Sequence, residues 1–449
     1  MVRAFRRWLP PLCGLVLAGC DRPDPGKPAS PAPAPLSPVL AFSSGQTPTN
    51  VLFVSVDTTR RDRIGRFSGR ADTTPFLDSL LAAGVSLDDH RSCSNWTAPS
   101  MLCATTGHSP LDLGFWPSTG DPQVPDVPAG LPTVARALGD IGFRSRLVTA
   151  NRVFSDAWDT AQGFDQVVTV DQLPAPAVRD AALVEVDALM SQSEPWLLHV
   201  HFFDPHREYC APADYLDELD TLPEIGFDLC DNLDGALDAA ATQDAAWQEA
   251  LLARIDASYR AELRFFDDTL AGFWAELDRR GALDDTLVVL FSDHGEQHLE
   301  RGVVDHGFHL YAEENRVFAG FWAKTLAGRA WPGPTSHTDL ARTVTSLYPV
   351  APVETATGVP LGDAPASRVR RTFAYSRVDT ITPELAVVAE NHLLLRTWDG
   401  AFELYDTEAD PEERDNRWPV AQDAALEAEL TAFTDDVIAL WPHLAESPP

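Results

Sequence analysis

Unbroken apolar runs alternate with amphipathic segments along most of the chain. Residues 50–56 are aliphatic or aromatic at five of seven positions and run straight into Asp57. A run of this kind predicts a strand buried on both faces. Residues 196–203 end in the same way on Asp204, and residues 286–292 on Asp293. Between them, residues 75–84, 131–142 and 181–190 read as helices and 144–150 as a further strand. Tyr259, Leu263, Phe266, Leu270, Phe273 and Leu277 recur at helical spacing and predict one long amphipathic helix. Strand and helix in alternation predict an α/β fold with a doubly wound, mostly parallel sheet. After Arg371 the pattern changes to a hairpin (385–389 and 392–398), a third strand (402–406) and a closing helix (421–440). The domain of residues 49–370 is therefore expected to be followed by a small antiparallel subdomain, residues 371–449.

In doubly wound sheets, ligands bind beyond the carboxyl ends of the strands. Asp57, Asp204 and Asp293 all fall there. Two carboxylates and an imidazole, Asp57, Asp293 and His294, offer the oxygen and nitrogen donors that hold one divalent cation. Gly295, directly after them, permits close backbone approach. A lone aspartate at a strand end is more often a cap or turn residue; the adjacent pair Asp293-His294 is harder to place without a metal. Thr97 lies two residues before Pro99, at the expected start of a helix stopped by Gly107. Free N–H groups there favour an anion or an alkoxide, although in isolation Thr97 reads as a plain N-cap. His206, His306 and His309 occupy loops on the same side as the acids. His90, His337, His392 and His443 lack such company and read as packing or surface residues.

Composition narrows the field. The 449 residues carry a net charge of −33, a poor match to a duplex nucleic-acid binder. Lys27 and Lys324 are the sole lysines, which leaves almost no candidate for an active-site lysine. The first residues, with Arg3, Arg6 and Arg7 before an apolar run and Leu17-Ala-Gly-Cys20, predict a lipoprotein signal peptide over residues 1–19. Lipid on Cys20 would anchor the chain to a bacterial envelope membrane, facing the periplasm or the outside. The Pro/Ala/Ser-rich stretch 20–48 would be its tether. Of the remaining cysteines, the local pairs Cys93–Cys103 and Cys210–Cys230 are the simplest of three possible connectivities.

Asn50 to Asp62, Thr74-Pro-Phe-Leu-Asp, Trp96-Thr-Ala-Pro-Ser with Thr106-Gly107, Asp204-Pro-His206, Ser292-Asp-His-Gly-Glu296 and Phe402 to Glu413 together resemble the sulfatase family of the alkaline phosphatase superfamily. The blocks follow the family's order and span roughly residues 48–416. The resemblance implies an alkaline-phosphatase-like three-layer sandwich with a small C-terminal sheet. It also implies a divalent cation (Ca, Mg, Mn or Zn) held by Asp57, Thr97, Asp293 and His294. Thr97 would be the nucleophile, and His206 and His309 would hold the anion or protonate the leaving oxygen. Standard sulfatases carry Cys or Ser at position 97 and oxidise it to formylglycine, a route closed to threonine. Met101 replaces the arginine that ends that motif, and Asp57-Thr58 replaces two acids. Threonine nucleophiles occur in related phosphodiesterases, phosphatases and phosphoethanolamine transferases. The expected activity is hydrolysis of sulfate or phosphate esters of small molecules, glycans or lipids. The alternatives are an envelope phosphoethanolamine or phosphoglycerol transferase, or a catalytically inactive binding protein. The transferases usually carry several membrane-spanning helices ahead of the catalytic domain, where this chain has a single signal.

Overall fold

The run Asn50–Val56 forms strand β1, central in an eight-stranded sheet. A computed structural model of the chain describes residues 40–440, except 110, 114–115, 118–124, 172–173, 352–355, 364–368, 375–383, 398–399 and 420–422. The signal peptide, Cys20, most of the tether and His443 lie outside the described residues. The other strands of the sheet are β2 (Val85–Arg91), β3 (Arg144–Thr149), β4 (Gln166–Thr169), β5 (Trp196–Phe202), β6 (Thr286–Ser292), β7 (Ala319–Trp322) and β8 (Arg329–Ser336). Their order is β8-β2-β7-β6-β1-β5-β3-β4. All pairs are parallel except those of β7, which runs against β2 and β6.

Alternate residues of β1 enter two different cores, as the period-2 pleat requires. Leu52, Val54 and Val56 pack with helices α1 (Pro75–Ala83), α4 (Ala175–Met190) and α6 (Ala245–Arg279). Val51 and Phe53 pack on the opposite face with α2 (Thr97–Thr106), α3 (Val134–Gly139) and α7 (His337–Ser346). Helices on both sides of a mostly parallel sheet make the expected three layers. Burying one Leu, Val or Phe side chain contributes roughly 1.5–3 kcal/mol. The doubly buried central strands therefore anchor the loops at their ends firmly.

The long helix α6 buries all six of its predicted apolar positions. It also organises two distant segments. Asp267 accepts hydrogen bonds from the N–H groups of Phe76 and Leu77, both at 2.8 Å, and so caps α1 from outside. The Tyr259 hydroxyl donates to the Thr58 carbonyl at 2.7 Å and accepts from the Arg60 N–H at 2.8 Å, which fixes the loop after β1. A shorter helix before it, α5 (Leu229–Ala240), packs on the same surface.

The second sheet has four antiparallel strands, β9 (Arg370–Ala374), β10 (Glu384–Ala389), β11 (His392–Arg396) and β12 (Phe402–Asp406), followed by α8 (Ala424–Leu440). The expected hairpin and third strand are there, with β9 in addition. Leu385, Val387 and Leu394 of this sheet, and Leu430 and Phe433 of α8, share a core with Trp96, Ala98 and Leu102 of the α2 segment. The C-terminal sheet thus braces the helix that carries Thr97. At the other end, the folded body reaches back before residue 49. Leu40 is buried in the main core and Phe42 bridges to Leu326. Both local disulfides, Cys93–Cys103 and Cys210–Cys230, are formed. No described helix is long and apolar enough to cross a membrane.

Candidate active site

Parallel pairing of β5, β1 and β6 brings Asp57 and Asp293 to one sheet edge. The Asp57 N–H continues the ladder to the Phe202 carbonyl at 3.0 Å, and the Asp293 N–H reaches the Val56 carbonyl at 3.3 Å. Both carboxylates and His294 are fully buried. Asp293 Oδ1 accepts from the N–H groups of Thr58 at 3.1 Å and His294 at 2.8 Å. Thr58 meets Asp293 from a left-handed backbone conformation (φ 46°), which is strained for a β-branched residue. Gly295 is required by close packing: a Cβ there would lie 2.0 Å from the Glu313 carbonyl oxygen.

The remaining donor atoms face one another. Asp57 Oδ1 and Asp293 Oδ2 are buried without any hydrogen-bond partner. The His294 ring donates through Nδ1 to the Gly295 carbonyl at 2.9 Å, so its Nε2 carries the lone pair. That nitrogen lies 3.5 Å from Asp57 Oδ1 and 3.4 Å from Asp293 Oδ2. Three Lewis-basic atoms lie within 4.8 Å of one another, and the two carboxylate oxygens among them meet no hydrogen-bond donor among the described residues. Oxygen-rich donors with one imidazole fit a divalent cation. Burial and the neighbouring Asp57 charge push Asp293 well above the usual carboxylate range, and burial together with His306 pushes His294 well below the usual imidazole range. Burial also works against an ionised Asp57, but the neighbouring histidines, the His201 contact first, outweigh it and hold Asp57 low.

Thr97 stands against this cluster. Its Oγ1 is 3.3 Å from His294 Nε2 and accepts from Asn151 Nδ2 at 3.2 Å. The helix begins at Thr97 itself, with Trp96 as its N-cap. Thr97 therefore makes no capping hydrogen bond, and its hydroxyl meets His294 and Asn151 instead. The same Asn151 amide nitrogen donates to Asp57 Oδ2 at 2.6 Å, tying nucleophile candidate and carboxylate together. Sequence reasoning missed Asn151, which follows the end of β3 by two residues. It also missed His201, whose Nε2 is 3.4 Å from Asp57 Oδ2 and whose Nδ1 bonds Ser55 Oγ at 2.8 Å.

The histidines divide. His206 stacks on Phe203 with ring centroids 4.4 Å apart and meets His306 edge-on at 5.0 Å; His306 lies 4.4 Å from the His294 ring. His306, not among the assigned site residues, therefore joins His206 to the acid cluster. Its Nδ1 is 2.9 Å from Asp305 Oδ1 and 3.5 Å from Glu296 Oε1. Although burial opposes charge, those two acids raise His306 well above the usual imidazole range. His309 is partly exposed and faces Glu384 of β10 at 3.4 Å, which outweighs burial and raises it. Buried Glu314 shapes this loop by accepting from the N–H groups of Gly307, Phe308 and His309. His90 and His337 are buried and stacked on each other. Asp204 is buried beside Glu262 rather than within the acid cluster, and burial pushes it up to about 6.

The sulfatase family model matches residues 49–350. Choline-sulfatase of Rhizobium meliloti (strain 1021) is 27% identical over 430 residues, covering 82% of each chain. The solved structure of BT4656 in complex with its substrate D-glucosamine-2-N,6-O-disulfate superposes with a TM-score of 0.70 at 16% identity, covering 89% of this chain and 99% of that one. The phosphonate monoester hydrolase of Agrobacterium radiobacter superposes with a TM-score of 0.63 at 18% identity, covering 88% and 96%. Both structural likenesses confirm the alkaline-phosphatase-like architecture. With the family model covering about two thirds of its length, this chain belongs to the sulfatase family, ester hydrolases of the alkaline phosphatase superfamily.

Proposed function

We propose that this chain is a metal-dependent hydrolase of sulfate or phosphate esters that works through a covalent ester on Thr97. The observation that carries the reading is the Thr97 hydroxyl, 3.3 Å from His294 Nε2 in a cluster with two partnerless carboxylate oxygens. Asp57, Asp293, His294 and Thr97 would hold a divalent cation, which when bound supplies Lewis acidity that lowers the hydroxyl pKa and offsets charge on the transferring group. Asn151 orients Thr97 by donating to its oxygen and to Asp57 at once. The first turn of α2 presents free N–H groups beside the reacting oxygen. His206 contacts the anionic group, and His309, kept protonated by Glu384, donates a proton to the leaving oxygen. Attack by Thr97 Oγ1 forms its bond to sulfur or phosphorus as the alcohol leaves, and water then cleaves the Thr97 ester. A choline-sulfatase relative and a sulfated-glucosamine-bound structural neighbour support small-molecule or glycan esters as the substrate class.

Thr97→Ala is expected to lower kcat/KM on aryl sulfates or phosphate esters by about 10³ or more, roughly 4 kcal/mol. Chelation should do the same reversibly. Full activity of Thr97→Ala on every ester tested would sink the proposal. The lipoprotein signal further leads us to place the folded body, which Leu40 and Phe42 join, and the 371–449 subdomain on an envelope tether that begins at Cys20 and ends before Leu40, with lipid on Cys20. Cys20→Ala should move the protein from the membrane to the soluble fraction and abolish labelling by a fatty-acid probe. Unchanged membrane recovery and labelling would refute the anchor.

A further inference from the structure

A cavity of about 680 Å3 opens beside the loop after β1, the segment before β7 and the turn at residues 411–414. None of Asp57, Thr97, Asp293 and His294 lines it. Its wall holds seven arginines against five carboxylates, a local positive excess on a chain of net charge −33. Four of the arginines have close acid partners: Arg60 with Asp62 at 2.8 Å, Arg63 with Asp256 at 2.6 Å, Arg260 with Asp256 at 2.9 Å and Arg414 with Glu313 at 2.9 Å. The exposed Arg70 reaches Glu218 only at 3.9 Å.

Arg61 and Arg316 differ from the rest. Neither has a carboxylate within ion-pair distance among the described residues. Arg61 donates from Nη2 to the Asp88 carbonyl at 2.9 Å and lies 3.9 Å over the Phe67 ring, and its Nε–H is buried without an acceptor. The Arg316 side chain has no hydrogen bond at all among the described residues, and its Nε–H is also buried. Burial and the charge of Arg316 push Arg61 down to about 10, while burial and the charge of Arg91 push Arg316 down. Two neighbouring cations offset only by carboxylates beyond ion-pair distance, Asp88, Asp89 and Glu413, are costly to hold in a fold. A guanidinium fork matches the oxygens of a tetrahedral anion, and two forks facing one cavity match them better. The volume lies in the range of organic ligands, several-fold larger than a bare oxyanion needs.

We propose that Arg61 and Arg316 form a second anion site, apart from Thr97 and the acid cluster, which takes a sulfate or phosphate group carried on an organic body. The proposal does not rest on the hydrolase reading, because binding is measured without turnover. The metal-loaded Thr97→Ala chain is titrated calorimetrically with glucosamine 6-sulfate, glucosamine 6-phosphate, inorganic sulfate and inorganic phosphate. Two anions per chain are expected. The second should be lost, or weakened by about tenfold or more, when Arg61→Gln or Arg316→Gln is added. Sugar esters binding the second site more tightly than the inorganic anions assign it to an esterified group, and equal binding assigns it to the free anion; both results support an anion site. In an otherwise unaltered chain, each arginine variant should hydrolyse a small aryl ester within about twofold of the parent rate. Should one variant fold poorly, the other decides. No anion bound in the parent, or anion binding that no folded arginine variant weakens, overturns the proposal; a single anion that the variants do weaken supports it and counts instead against anion binding at Thr97.

Discussion

Two clusters of acid and histidine lie side by side in this molecule, and each has the spacing to hold a metal ion. In the first, Asp57, Asp293 and His294 point three basic atoms at one another, and no arginine or lysine pairs with them among the described residues. In the second, Glu296 and Asp305 close on His306, whose ring they hold as an imidazolium, with Asp305 Oδ1 at 2.9 Å. Tyr209 completes Glu296 by donating to Oε2 at 2.7 Å, and Arg207 donates to Asp305 Oδ2 at 3.1 Å. The second cluster carries its own cation, whereas the first needs one from outside. Similar donor sets thus lead to different chemistry, decided by whether the acids already face a cationic side chain of the protein.

The sharpest way to break this comparison is to neutralise one carboxylate in each cluster. Asp57→Asn should abolish bound divalent metal, measured by elemental analysis, and lower activity by about 10³ or more. Glu296→Gln should leave metal content at the parent level. It should cost about 3–5 kcal/mol in urea denaturation, the range for breaking a buried charge pair. Loss of metal in Glu296→Gln, or its retention in Asp57→Asn, would reverse the assignment. A smaller effect is expected from Asn151→Ala, which removes the bridge between Thr97 and Asp57. A drop of about 10- to 100-fold in kcat with KM little changed fits a positioning role, and an unchanged kcat denies it.

The smallest effect concerns His309 and pH. Because Glu384 raises the His309 pKa in the folded state, the protonated ring persists to higher pH than a free imidazole. The associated stability is fully present below the unfolded value, about 6.5, and fades as pH rises through the folded value. His309 is about a quarter exposed, so this stabilisation is about 1 kcal/mol or less. The pH–rate profile is the better readout. Glu384→Gln should shift its alkaline limb to lower pH, and His309→Gln should remove that limb. An alkaline limb that neither variant alters would exclude His309 as the proton donor.

What could be read from the sequence followed burial. Asp57 and Asp293 were legible because each ends an unbroken apolar run, and a strand buried on both faces leaves no other place for its terminal acid. Strand β8 was not legible, since Trp331-Pro-Gly-Pro334 argues against a strand. It survives at the sheet edge, where a register shift between Trp331 and Pro334 absorbs the missing donors. Strand β2 was hidden by Asp88, Asp89 and His90, polar residues that pair with partners beyond the pattern of their own segment. Thr97 was legible as a helix-start residue, but its freedom from capping depends on Trp96 taking the N-cap position. Asn151 and His201 carry no spacing signal of their own. They matter only because the sheet places β5 next to β1 and β3 next to β5, a fact of topology that local pattern does not encode.

The account depends above all on Thr97 forming a bond to substrate. The most direct test is to mix the metal-loaded protein with an aryl sulfate or phosphate ester it turns over, quench in acid during the first turnover, and map the peptides by mass. The peptide spanning Thr97 should carry a sulfuryl or phosphoryl group that disappears after chelation. Rapid turnover with that peptide unmodified, and an undiminished rate in Thr97→Ala, would contradict the account.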